Sequence, residues 1–556
     1  MNLMSSKWGI AALALVCYVF PLTLGIPLFE PDEGLHASIA QEMVERGDYV
    51  TPCLLGEPFY DKPILFTWTQ AQFLRLFGMN EVGSRAAGML FGLLGALTTG
   101  LLAARWFDRS AGILATLFYM TMVLPIALVQ AAVHDVALVP LANLALIAAW
   151  EAHRAVSRKK AFAYWGLVGV ALGLSCLAKG LIGVAIVTLV FLIYTVVSKS
   201  LRPKTVAGAL TAFAVAAVVA GPWFLVMNAR HPGYAYYYFV QRHFLGYVTS
   251  GQLHGTAPWW FYLPLLLGGA LPWIVYLPAS AMQWWSSRKR ADWNLEQPLT
   301  LCWIWLIGGM LFLSLAHSKL VTYLSPIFPS VAVLTAVVWS SFRRESASKM
   351  FATSVEWTFR SGALLAPLIL PIAMYVCAWR FQFTIPPLTW ALGIVITCSH
   401  WLCLLAWHRG SPRQALNTSI AVLAVTFVFI MAAVLPHVSE SISAKSLAGF
   451  LNHRGRLPSH VMVVKERIGS VYFYLDPSLR AALKCGQIRE VDPSDRNFNK
   501  NLPADTLVVV PDKRRDDIAR LADGLHEIAD VGHYRIYEPK APRTARTSSE
   551  ASGGKH

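Results

Sequence analysis

Long, uninterrupted apolar runs restrict this chain more than any other feature. Crossing ~30 Å of hydrocarbon takes ~20 apolar residues in helical form, and about thirteen stretches approach or reach that length. They cover Trp8–Ile26, Ser84–Ala104, Ala111–Gln130, Val133–Trp150, Ala163–Leu177, Leu181–Val197 and Val206–Met227. The rest are Trp259–Ala279, Leu299–Ala316, Thr322–Trp339, Gly362–Trp379, Trp390–Trp407 and Ser419–Leu435. The pair either side of Lys179-Gly180 reads as two spans or as one long kinked helix. A 56% hydrophobic, 14% charged composition with mean hydropathy +0.49 fits a polytopic α-helical membrane protein.

Basic residues supply the orientation. Alternate loops hold Arg105/Arg109, Arg154/Arg158/Lys159/Lys160, Lys199/Arg202/Lys204, Arg288/Lys289/Arg290, Arg343/Arg344/Lys349 and Arg409/Arg413. With thirteen spans all of these share the side of the N-terminus, which the positive-inside rule makes cytoplasmic. Much of the formal charge of +16 is therefore topological, and no nucleic-acid partner is read from it. The first long loop, the Lys179 hinge and everything after Leu435 fall on the outer side. The first span has no small-x-small cleavage site before Pro27–Asp32 and reads as an anchor. Eight Cys, scattered mostly inside spans, show neither metal nor disulfide spacing.

Three regions follow. Residues 1–435 form the membrane domain, with a long outer loop at 27–80. From 436 to 540 the apolar runs shorten to strand length at Val461–Lys465, Val471–Leu475, Thr506–Val510 and His533–Tyr537. Helical patterns lie between them at Ala444–Asn452 and Asp516–Ala522, so this part reads as a small outer α/β domain. Residues 541–556 are Ser/Gly/Lys/Arg-rich and read as a disordered tail. No glycine-rich phosphate loop or dinucleotide fingerprint occurs, so no nucleotide cofactor is expected.

The charges that suggest chemistry gather in the first outer loop. It carries Phe29-Glu30-Pro31-Asp32-Glu33-Gly34-Leu35-His36 and then Gly56-Glu57-Pro58-Phe59-Tyr60-Asp61-Lys62-Pro63. Glu33–Arg46 reads as an amphipathic surface helix. Asp32 at its start has a plain role as helix cap and a sharper one as a reactive carboxylate. Ionisable groups at a bilayer edge are costly and are normally retained for function. Asp135, beside His134 at the outer end of a span, is another acidic candidate. Lys179 either snorkels to the interface or faces an anion. Between Asn228 and Pro258, His231, Arg242, His243 and His254 alternate with tyrosines but lack an HExxH-type spacing. The stretch Ser314–Lys319, with Tyr323 after it, adds a third basic outer patch. Cations ringed around carboxylates at one membrane face suit a lipid-linked anionic substrate, the cations neutralising a phosphate.

The first-loop motif, with Gly47-Asp48-Tyr49-Val50-Thr51-Pro52 and Tyr60-Asp61-Lys62-Pro63, resembles the protein O-mannosyltransferase-related superfamily of membrane glycosyltransferases. Within it the chain is most similar to the aminoarabinose transferases that modify lipid A. Leu177–Gly180, Leu271–Trp273 and His317–Pro326 match in order along the membrane domain. The resemblance implies a GT-C fold of about thirteen spans and a periplasmic C-terminal domain. It implies a sugar donor on a polyprenyl phosphate, an acceptor such as lipid A, a glycan or a protein, and contact with membrane lipids. By the same resemblance Asp32, with Glu33 beside it, is the essential acid of the loop and Asp135 a second acidic position. Lys62 matches a phosphate-contacting Lys, and Lys319 and Tyr323 fall in the late outer-loop motif; Lys179, Arg242 and His36 are candidate substrate contacts from their place on the outer face. Asp61, in place of a ligating Glu, and His243, with His254 in competition, would hold a divalent metal ion. Leu35 and His36 depart from the Arg-Tyr usual in lipid A transferases, which leaves the sugar and acceptor open. The alternatives are hexosyl or mannosyl transfer to protein or lipopolysaccharide core, and a lipid-linked sugar flippase. A flippase should show paired broken helices from an inverted repeat, and only the break at Lys179 is visible.

Overall fold

The computed structural model describes residues 7–246, 257–287, 297–342, 349–381 and 388–540, apart from 467, 485, 493–501, 504 and 519–523. The chain forms two compact units. One comprises residues up to Leu28 and His36–Ser439, the other Phe29–Leu35 and the residues from Glu440 on.

In the membrane unit each expected span falls on helix. Among the described residues eight helices are long and apolar enough to cross a bilayer, or ten if two bent pairs count as one span each. Trp8–Leu24 and Leu181–Val197 are apolar but shorter, and the stretch from Gly362 lies within the helix Lys349–Phe381. Two expected spans are broken. Arg109–Thr121 and Val123–Val129 meet at 69°, where Met122 is extended at ψ 140°. Trp259–Gly269 and Trp273–Ser287 meet at 98° around Leu271-Pro272, where proline lacks an N–H and keeps its predecessor from helical geometry. The open question at Lys179-Gly180 resolves as two helices, Arg158–Lys179 and Leu181–Val197. They are separated by Gly180 at φ +83°, a value side-chain-bearing residues rarely adopt.

Burial sorts these helices. His134–Arg154 and Val321–Ser341 have 83% of their most apolar windows inside protein, Pro203–Arg230 only 28%. Leu210, Leu225 and their neighbours on the last helix are exposed, as lipid-facing residues are. Interior helices approach through small residues and polar links. A Cβ on Gly100 would sit 2.0 Å from Thr116 Oγ1. The buried Asn143 amide donates to Thr98 Oγ1 (3.1 Å) and Thr99 Oγ1 (3.0 Å) across helices.

The first outer loop is tied down along its length. A helix spans Asp32–Arg46, but it is not the surface helix expected: residues 33–41 are all buried, the polar Glu33, His36, Ser38 and Gln41 included. Strands β1 (Cys53–Leu54) and β2 (Glu57–Pro58) form a hairpin whose two-residue turn, Leu55-Gly56, has φ +57° and +80°. That is the turn whose twist suits a tight hairpin. Glu42, on the helix, takes both turn amides: Leu55 N–H at 2.6 Å and Gly56 N–H at 2.8 Å. Trp68 Nε1 donates to Tyr49 O (2.6 Å) and Trp223 Nε1 to Val50 O (3.0 Å). Arg230 pairs with Asp48 at 2.9 Å. Arg85, buried in the helix Glu81–Trp106, donates to the carbonyls of Ile26 and Pro27, where the first span gives way to the loop.

The second unit is an α/β domain with a five-stranded sheet in the order β4-β3-β5-β7-β6. Strands β3 (His460–Val464), β4 (Ile488–Val491) and β5 (Thr506–Pro511) are parallel. Strands β6 (Leu525–Val531) and β7 (Tyr534–Pro539) form an antiparallel hairpin against β5. The strands expected near 461, 506 and 533 and the helix at Lys445–Arg454 are present. Val471–Leu475 is not a strand: Ser470–Tyr474 is a helical turn that buries Val471, Tyr472 and Phe473. A short apolar run carries no period that separates the two states. Strands β4 and β6 went unanticipated because their exposed positions are polar. Of the helix expected at Asp516–Ala522, Arg515–Ile518 is present, and the tail at 541–556 lies outside the described residues.

Candidate active site

Behind the hairpin, Pro63 and the helix Leu65–Phe77 fix the exit of the loop, leaving Asp61 and Lys62 on a short rigid bridge. Lys62 keeps part of its accessible surface, yet protein surrounds its ammonium. Burial above all, with the charges of Lys179 and Arg242, pushes its pKa down to about 7, while Asp135 and Asp61 pull the other way. Among the described residues Lys62 makes no hydrogen bond or ion pair. Such an ammonium is poised for an anion.

Its neighbours form two ion pairs. Lys179 Nζ meets Asp135 Oδ2 at 2.5 Å, both side chains buried, and the ammonium also lies 5.3 Å over the Tyr323 ring. Asp135 Oδ1 is buried without a hydrogen-bond donor among the described residues. Arg242 Nη1 meets Asp61 Oδ1 at 2.8 Å, and Tyr237 donates its hydroxyl to the same oxygen at 3.1 Å. An aromatic wall of Tyr60, His231, Tyr234 and Tyr237, centroids 5.5–6.1 Å from Tyr60, stands beside that pair. His36 and His134 pack ring against ring at 4.4 Å, with Phe66 and Phe59 around them. Both ring nitrogens of His134 are buried without a hydrogen-bond partner among the described residues.

His243 is wedged at the helix break. Its Nδ1 bonds the Tyr238 carbonyl at 2.7 Å, and a Cβ on Gly180 would lie 2.4 Å from its Nε2. Burial pushes the imidazole's pKa down, against hydrogen bonds to the Tyr238 and Lys179 backbones. The donor set expected for a metal therefore does not fit one here. Asp61 is engaged by Arg242 and Tyr237, and His243 faces backbone carbonyls. Among the described residues no three His, Cys, Asp or Glu side chains converge. His254 lies outside the described residues.

Lys319 is brought to none of these groups: its ammonium donates to the carbonyls of Ala316 and Ala257, the former just past the helix Pro298–Leu315. This is the helix-end anchoring that its position also allowed. Asp32 and Glu33 belong to the segment that packs with the second unit. Asp32 is the first helical residue, exposed, with no hydrogen bond or ion pair among the described residues. Glu33 accepts the Phe29 N–H on its Oε2 at 2.9 Å, which ties the first helical turn to the loop before it. Sequence reasoning passed over Tyr237, Arg85, Glu42 and the orphaned His134 ring. The tyrosine-rich 234–238 run was the one visible sign of the first.

The sequence family described as dolichyl-phosphate-mannose-protein mannosyltransferase matches residues 61–223, which hold Asp61, Lys62, Asp135 and Lys179. The chain is 29% identical over 403 residues to an undecaprenyl phosphate-alpha-4-amino-4-deoxy-L-arabinose arabinosyl transferase of Pectobacterium carotovorum, covering 72% of this chain and 69% of that protein. It is 31% identical over 375 residues to the transferase of the same description from Aeromonas salmonicida, covering 67% and 65%. Its fold is similar to the crystal structure of ArnT from Cupriavidus metallidurans bound to undecaprenyl phosphate. The TM-score is 0.73 at 22% identity, with 96% of this chain and 98% of that one aligned. The oligosaccharyltransferase of Archaeoglobus fulgidus is a more distant match, TM-score 0.50 at 12% identity, covering 92% and 71%. Fold, motif order and relatives agree: this multi-pass membrane protein belongs to the GT-C glycosyltransferases of the protein O-mannosyltransferase-related superfamily.

Proposed function

We infer that the protein moves a sugar from undecaprenyl phosphate to lipid A or a related acceptor, at the outer face of a bacterial inner membrane. The observation that carries this is the unpartnered Lys62 ammonium, held among Lys179, Arg242, Asp61 and Asp135. The bond between the sugar's anomeric carbon and the donor phosphate oxygen breaks, and the electron pair leaves with undecaprenyl phosphate. The acceptor oxygen bonds to the opposite face of that carbon, inverting it. Lys62 meets the charge that grows on the departing phosphate, in a buried setting where a cation counts for more than in water. Arg242, steadied by Asp61, and Lys179, steadied by Asp135, supply further positive charge. No step runs through a metal. Asp32, exposed and uncommitted, takes the proton if the acceptor is a hydroxyl. If the acceptor is a lipid A phosphate, already ionised, Asp32 instead orients a cationic sugar substituent such as a 4-amino group. The 4-amino-4-deoxy-L-arabinose named for the relatives supports a pentose as the transferred sugar. The family match at residues 61–223 favours a second reading, transfer of a neutral hexose to protein.

The Asp32→Asn variant should insert and fold as the parent does yet transfer nothing from undecaprenyl-phosphate-linked sugar, followed as labelled product lipid or protein. Full transfer by that variant would remove Asp32 from the mechanism. Mass spectrometry of lipid A and surface glycans from cells with and without the gene separates the two acceptor classes.

A further inference from the structure

The segment that carries Asp32 is held at one point, and the holder is the C-terminal domain. Glu30 buries its carboxylate against the loop that follows β3. Its Oε1 accepts Ser470 N–H (2.7 Å) and Ser470 Oγ–H (2.5 Å), and its Oε2 accepts Gly469 N–H. The Glu30 N–H donates in turn to the Ile442 carbonyl at 2.9 Å. Contact continues along the helix start without room to spare. A Cβ on Gly34 would lie 2.3 Å from Ser470 Cα, and one on Gly469 would lie 2.7 Å from Pro31 O and Leu35 N. Ser470 Oγ is itself fixed, accepting the Ala444 N–H at 3.1 Å. The place is informative. Strand β3 lies between the parallel strands β4 and β5, and in open α/β sheets ligands sit beyond the carboxyl ends of such strands. Here a side chain from the first outer loop occupies that position.

We propose that Glu30 is a positioning residue of the transfer reaction: held by Gly469 and Ser470, it sets the turn that presents Asp32, which makes the C-terminal domain a working part of the transferase. This rests on the reading of Asp32 above. The joint is sensitive to protonation. Burial raises Glu30 to about 7, the Glu466 charge adds to the rise, and the three donors oppose it; Tyr534 is the other ionisable group facing it, from β7. The ionised carboxylate can accept all three bonds. Burial outweighs those bonds: the joint binds a proton more tightly than the free loop would, so it is firmest below about 7 and weakens as pH rises and the buried carboxyl ionises.

The test uses the full-length protein in lipid nanodiscs with an undecaprenyl-phosphate-linked sugar. Glu30→Gln and Ser470→Ala should each lower kcat by about tenfold or more, as expected for a small misplacement of a reacting group, with little change in donor KM. At saturating donor, the fall in the parent's kcat above about pH 7 should be absent from Glu30→Gln, which cannot ionise. Hydrogen–deuterium exchange of residues 29–35 should quicken in both variants while that of the membrane helices stays put. Ser470→Ala removes one hydroxyl and leaves both backbone donors, so it decides the matter if Glu30→Gln fails to fold. Parent-like kcat and exchange in Ser470→Ala, with Asp32→Asn inactive, overturn the positioning role alone. An active Asp32→Asn overturns the reading beneath it.

Discussion

Lys62 is where charge and burial conflict most openly, and the conflict should appear in kinetics. Its ammonium is lowered to about 7 by burial and by Lys179 and Arg242, so the free enzyme loses that charge as pH rises past neutrality. Below about 7 the cation is present and binds phosphate. Above it, kcat/KM for the donor should fall toward tenfold per pH unit, a limb belonging to the free enzyme. Lys62→Arg, charged throughout, should lose the limb while working more slowly, because a planar fork does not replace a point charge. A flat parent profile from about pH 6 to 9 would argue against a Lys62 that titrates. Arg242 invites a second experiment. It already neutralises Asp61, so stripping divalent cations with a chelator should leave initial rates unchanged. Activity lost on chelation and restored by added divalent ion would show that Asp61 exchanges Arg242 for a metal. At this scale the sequence displayed its acids and bases well, because Asp32, Asp61 and Lys62 sit where charge is costly. It did not display their pairings. The partners of Asp61 lie 176 and 181 residues away, and spacing carries no trace of them.

Among the elements, the helix break at Gly180 does most to set the site. It parks Lys179 against Asp135 and clears a slot for His243 and for the Tyr238 hydroxyl, 2.6 Å from where a Cβ would stand. Gly180→Ala adds that Cβ at φ +83°, where backbone strain alone costs about 1–3 kcal/mol. The variant should melt earlier than the parent and lose transfer, and a thermal unfolding series in detergent with a parallel rate assay checks both. Unchanged melting would mean that the slot is roomier than drawn. Helices this long were legible because twenty consecutive apolar residues admit little else. The five-residue turn at Ser470–Tyr474 was not, since Val-Tyr-Phe-Tyr suits a strand by local preference and only its packing decides. Breaks within spans were partly visible. Lys179-Gly180 marked one, but the breaks at Met122 and at Leu271-Pro272 went unread, the second in spite of its proline.

For the molecule as a whole, orientation remains the property to establish by experiment. Glu57, exposed in β2, is a suitable reporter. In a Cys485→Ser background, a Glu57→Cys variant should react with a membrane-impermeant maleimide on spheroplasts without permeabilisation, and the background alone should not. Reaction only after permeabilisation would put the charged loop on the cytosolic side and undo the assignment made from the Lys and Arg distribution. The two-part organisation was legible as a change from twenty-residue to five-residue apolar runs near Pro436. That a piece of the first loop packs with the far domain was not, since nothing in Phe29–Leu35 resembles the sheet it joins. The partners of Glu30 lie 439 and 440 residues downstream. At roughly 5–20 residues per second of synthesis, about 20–90 s pass before they leave the ribosome. Throughout that interval the nascent chain lacks Gly469 and Ser470, so the turn at Glu30 has none of the three donors that later fix it.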